Sequence, residues 1–160
     1  MGLLGGLLSS QRRGRGADGV TLGFSNGEEV ECRVASRFLE RLRGLIRSDP
    51  ALREARGLLL VPCSSVHTFG MSFPLDLVFL DRCGGVVRVC RDVPPGRVVP
   101  CVGAHAVLEM RAREGPGPLG DRFPPGGLAS DGGTVRVTRI DLRMRNDGEK
   151  EKAGEGPDAA

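Results

Sequence analysis

Apolar and polar residues alternate with a period of two along much of this chain, the pattern of strands with one face in a core and the other in water. In VTLGF, Val20, Leu22 and Phe24 take one side, with Thr21 and Gly23 between them. Asn26-Gly27 follows, a pair suited to the positive φ of a tight turn. Beyond it Val30, Cys32 and Val34 alternate with Glu29, Glu31 and Arg33. Residues 20 to 34 are therefore predicted to form a hairpin. The period then lengthens: Ser36 offers an N-cap, and Phe38, Leu39, Leu42, Leu45 and Ile46 recur at helical spacing. This predicts an amphipathic helix over residues 36 to 48, ended by Asp49-Pro50.

GLLLVP, residues 57 to 62, reads as a short apolar strand. PLDLVFLD is apolar on both faces, with Leu75, Leu77 and Phe79 on one side and Val78 and Leu80 on the other, as a central strand covered on both sides requires. RCGG turns the chain into VVRVCRDV, a second hairpin, and AHAVLEM gives a further strand. In TVRVTRIDL the inward set changes phase from Val135 and Val137 to Ile140 and Leu142, which predicts a bulge near Thr138 and Arg139. The fold class expected is α+β, mainly β: a small antiparallel barrel-like sheet with one amphipathic helix packed against it.

Composition narrows the picture. With 160 residues and 39% hydrophobic content, the chain suffices for one domain with a modest core, placed at residues 19 to 145. Residues 1 to 18 carry a short apolar run before their arginines, the reverse of a secretory signal and too short to span a membrane, and read as a loose arm. Residues 146 to 160 are charged and Gly-rich, and read as a disordered tail. Net charge is +3, the arginines are spread along the chain, and Tyr and Trp are absent, so no nucleic-acid partner is expected, and the shortness of the amino-terminal apolar run leaves no membrane partner expected either. The five cysteines are odd in number and lack a CxxC pair, which argues against a disulfide framework or a zinc knuckle and points to a reducing, cytoplasmic setting.

The candidate chemistry centres on CSSVHTFGM, where Cys63, His67 and Met71 stand four residues apart. As a soft-metal site for copper or zinc, this C-x3-H-x3-M run approaches the ligand loop of blue-copper proteins, but that loop needs a second imidazole upstream and His105 lies downstream. As a thiol site, Cys63 would be the nucleophile and His67 its base, with Asp76 or Glu109 orienting the imidazole; no oxyanion hole is recognisable. As a structural loop, the His67 ring bonds turn backbone, Met71 fills core, and Asp76 accepts N–H bonds from the Thr68 to Phe73 loop bent by Gly70 and Pro74. Glu109, inside VLEM, has the same two readings. Cys32 and Cys90 fall at inward strand positions and are core thiols.

The segment from Ala35 to Ile46 with GL near its end, the GLLL strand, HTFGMSFPLDLVFLD, VVRV, a proline-rich segment, AVLEM and LGD together resemble the DUF192 family of uncharacterised prokaryotic proteins. The resemblance covers roughly residues 30 to 123, and Met71, Pro74, Leu75, Asp76 and Phe79 are its most specific part. It implies a small β-rich, barrel-like α+β domain and no settled activity. The resemblance also implies that many relatives keep the Met-to-Pro-Leu-Asp run with an aromatic residue before the Met and lack this Cys and His; here Gly70 precedes Met71, so Cys63 and His67 read as a subgroup feature. The favoured function is a small β-barrel-like binding or accessory module with a loop-organised site around residues 63 to 76, serving an unidentified small ligand or protein partner, and the sequence itself calls for no cofactor. The alternative is a soft-metal protein using Cys63, His67 and Met71, or a thiol enzyme centred on Cys63 and His67.

Overall fold

The computed structural model describes residues 17–35, 57–112 and 135–144, together with Leu4. These residues form nine strands: β1 (Ala17–Phe24), β2 (Glu29–Ala35), β3 (Gly57–Leu60), β4 (Ser65–His67), β5 (Leu75–Leu80), β6 (Val86–Val93), β7 (Val98–Pro100), β8 (Ala106–Arg111) and β9 (Val137–Met144). Seven build one sheet in the order β6-β5-β8-β3-β2-β1-β9, and β4 pairs with β7 in a separate two-stranded sheet.

The periodic segments fold as their pattern dictates. β1 and β2 pair antiparallel across the Asn26-Gly27 turn, where Gly27 adopts a φ of 88°, open to glycine at no steric cost. At the β5–β6 turn, Asp81 Oδ1 accepts the N–H of Cys83 at 2.7 Å and of Gly85 at 2.9 Å, closing the connection. The bulge expected near Thr138 is present: Gly23 stands opposite Arg139 and Phe24 opposite Val137, leaving Thr138 as the extra residue.

All six residues of β5 are buried. Alternation sends Val78 and Leu80 to one core, with Val20, Leu22, Leu59, Leu108 and Met110, and Leu4 of the amino-terminal segment is buried among them. Leu75, Leu77 and Phe79 face a second core with Leu58, Leu60, Val107, Val66 and Met71. Burying each such Leu or Phe contributes about 1.5–3 kcal/mol, so both faces of the sheet anchor it.

The expected fold class needs correction. The described residues are strands with no helix packed on them, and the helix anticipated over residues 36 to 48 lies outside the described residues, as do residues 146 to 160. The sheet is not a closed barrel. Its two end strands meet at a single bridge, Gly85 opposite Arg136, with Val86 N–H donating to Val135 O and Val137 N–H to Gly84 O. Past the Thr138 bulge β9 runs along β1, so the contact never grows into a ladder. Nor is the sheet wholly antiparallel, because β2 and β3 pair in parallel. Among the described residues no helix is long and apolar enough to cross a membrane.

Candidate functional site

CSSVHTFGM is built into a flap over the second core. In it Ser65 pairs with Pro100, Val66 with Val99 and His67 with Val98. The three-residue strands still obey the period of two. Val66 and Val99 pack into the core, while Ser65, Val98 and Pro100 remain exposed and His67 is half-buried.

A threonine holds the flap. Thr68 is wholly buried; its hydroxyl donates to Pro94 O at 2.7 Å and accepts the N–H of Arg97 at 2.9 Å. Its backbone N–H donates to Arg97 O, and its carbonyl accepts from Gly96 and Met71. Every polar group of this residue thus fastens β4 to the Pro94–Arg97 loop, as a buried polar group requires. Next to it Phe69 is 53% exposed, and Val98 and Val102 are 58% and 97% exposed. The His67 and Phe69 rings stack with centroids 5.8 Å apart and planes inclined by 26°.

The candidate residues separate into distinct roles. Met71 is buried in the second core, matching its expected role as filler. The Cys63 thiol donates to Ser65 O at 3.2 Å. His67 Nδ1 is buried without a hydrogen-bond partner, so the ring is set by stacking and not by bonds from turn backbone at that atom. Asp76 is buried, and its Oδ1 accepts the N–H of Asp92 at 2.9 Å. That carboxylate secures β6, whereas the 68–73 loop expected to need it is held by Thr68. Leu75 pairs with Val93 and Leu77 with Cys90, so Arg91 and Asp92 bulge opposite Asp76. Asp92 has a φ of 52°, the left-handed region that costs a side-chain-bearing residue strain.

Glu109 is also buried, but it lies between Leu108 and Met110 of the first core and so faces the second. Asp76, between Leu75 and Leu77 of the second core, faces the first, opposite Met110. The two acids expected to serve one site therefore occupy opposite faces of the sheet. Asp76 is also on the wrong face to orient His67.

Three of the other thiols are kept protonated by their surroundings. Burial pushes the thiols of Cys32, Cys90 and Cys101 up, far up for Cys32, while Arg88 pulls the latter two back in part. None of the five cysteines is in a disulfide. For a metal, no group of three or more His, Cys, Asp or Glu side chains among the described residues is placed to share an ion. The four-residue spacing of Cys63, His67 and Met71 distributes them over a thiol–carbonyl contact, a ring stack and the core. Thr68 is the residue that sequence reasoning missed, because no pattern marks a hydroxyl whose partners lie 26 and 29 residues away.

Two solved structures share the fold. One is a protein of unknown function from Novosphingobium aromaticivorans DSM 12444, with TM-score 0.53 and 20% identity, covering 78% of this chain and 84% of that one. The other is described as a putative transcription regulator from Sinorhizobium meliloti 1021, with TM-score 0.52 and 18% identity, covering 78% and 92%. At such identities the likeness is one of fold. No curated protein matches the sequence. The family model DUF192, described as Uncharacterized ACR, matches residues 21–114, which contain the flap, both buried acids and the HTFGMSFPLDLVFLD run. That is more than half of the chain, and the protein belongs to the DUF192 family.

Proposed function

We propose that this protein is a binding or accessory module, without catalysis of its own, whose flap presents an apolar, ring-bearing surface to a small ligand or protein partner. The observation that carries this reading is Phe69. A large ring stands more than half in water directly beside a threonine whose buried bonds fix its position, with Val98 and Val102 exposed on the facing segment. Scattered exposed apolar residues need no explanation, but three on one bonded unit, one of them a preorganised ring stacked on His67, make a binding surface. For the metal reading, no three His, Cys, Asp or Glu side chains among the described residues are grouped to hold an ion, and for the thiol reading Asp76 lies on the face of the sheet away from His67.

A library of small aromatic and aliphatic fragments, screened by amide chemical shifts on the isotope-labelled full chain, tests this. Shift changes should gather at residues 65–69 and 97–102 and vanish in Phe69→Ala, whose melting temperature should match the parent because the ring is exposed. Fragments that bind elsewhere, or shifts that survive Phe69→Ala, would remove the flap from consideration.

A further inference from the structure

β9 ends the seven-stranded sheet; its first residue, Val137, donates to Gly84 O, and past that point, among the described residues, no strand pairs with its outer edge. Such an edge is a template for another strand unless something covers or disfavours it. Which backbone groups it offers follows from the bonds of its neighbour. Phe24 N–H donates to Glu28 O and Ser25 N–H to Arg136 O, so even-numbered residues of β1 bond toward β2 and odd-numbered ones toward β9. Gly23, Thr21 and Gly19 stand opposite Arg139, Asp141 and Arg143, which therefore spend their N–H and C=O groups on β1. Ile140 and Leu142 point theirs outward.

We propose that β9 pairs antiparallel with β9 of a second copy of this chain about a two-fold axis at Ile140, joining the two sheets edge to edge. In that register Ile140 exchanges both backbone bonds with the partner's Ile140, as its outward-pointing groups require. Arg139 then faces the partner's Asp141, and Asp141 faces the partner's Arg139. These are non-hydrogen-bonded positions, where cross-strand side chains approach most closely. The charges are self-complementary under the only symmetry that a homodimer interface of this kind uses. Both side chains are exposed and already joined within one chain, Arg139 Nε to Asp141 Oδ2 at 2.6 Å, and Arg139 also pairs with Glu29. Pairing turns this surface cluster into a symmetric ring of alternating charge across the axis. It uses a surface separate from the flap and stands whatever the flap binds.

Sedimentation equilibrium of the full chain in reducing buffer tests the proposal, with the amide exchange of β9 followed against concentration. The parent should dimerise, and the Ile140 and Leu142 amides should become protected as the dimer forms. Arg139→Asp sets carboxylates against carboxylates, and Asp141→Arg sets guanidiniums against guanidiniums; each should weaken the dimer about tenfold or more. The double variant Arg139→Asp/Asp141→Arg restores opposite charges and should recover most of the loss. A parent that stays monomeric overturns the proposal, as does a dimer indifferent to all three variants or one in which the β9 amides exchange freely. Should a charge variant fail to fold, the exchange measurement on the parent still decides.

Discussion

At the scale of single residues, the fold depends on a few buried polar atoms. Asp92 is held at a φ of 52° with its N–H bonded to the Asp76 carboxylate, so strain and restraint belong to one unit. Removing the acceptor in Asp76→Ala strands a donor and should cost about 1–3 kcal/mol, whereas Asp76→Asn keeps an acceptor and should cost less. Asp92→Val, a β-branched residue at positive φ, should lose about 1–3 kcal/mol, and Asp92→Gly should lose little. Because the two residues act together, Asp76→Ala in an Asp92→Gly background should cost less than in the parent. Urea melts of the five variants check this, and a parent-like melt for Asp76→Ala would refute the anchor.

Cys32 supplies a pH test. Its folded pKa is raised by burial, so the stability it contributes is fully present below the unfolded value near 9.0 and declines as pH rises past it, because only the unfolded chain then gains the thiolate. Above that pH the parent should lose about 1.4 kcal/mol per pH unit more steeply than Cys32→Ala. Parallel stability curves for the two would show that Cys32 ionises as readily in the folded protein as in the unfolded chain.

At the scale of elements, what the sequence revealed was what repeats. The β1–β2 hairpin, the two-faced β5 strand and the Thr138 bulge each span enough residues for their period, or a break in it, to be read. β4 and β7 have three residues each, barely one alternation, so their pairing was invisible and the site looked like a bare loop. The burial of Asp76 and Glu109 could be inferred because both are embedded in apolar runs, but their separation onto opposite faces depends on register. The parallel β2–β3 pairing was equally hidden, since nothing in a strand's own residues states its direction. Gly57 carries one consequence of that packing: a Cβ there would stand 2.9 Å from Glu109 O and 3.0 Å from side-chain atoms of Leu108 and Met110. Gly57→Ala must push β3 away from β8, and should destabilise by about 1–3 kcal/mol by thermal melt. A neutral effect would mean that the two strands separate readily.

At the scale of the whole molecule, the sheet order departs from the chain order twice, where β9 joins the far end beside β1 and where β8 enters the centre. β8 lies between β5 and β3, with the β5–β6 hairpin on one side and β3, followed by the β1–β2 hairpin, on the other. Each hairpin closes over a short loop and can form locally, whereas β8 pairs with Leu58–Leu60 and with Leu75–Leu80 at once. Two early pieces and a late keystone follow from this arrangement. In pulsed amide-exchange refolding, protection at Ala106–Arg111 and Leu58–Leu60 should appear in the same phase, no earlier than that of the hairpins. Earlier protection of β8 would mean that the centre nucleates the fold. During synthesis the same geometry makes the emergence of residues 106 to 111 from the ribosome the moment at which the centre of the sheet can close. A chain halted before that point carries two finished hairpins and an open apolar slot between them, and is then most in need of a chaperone.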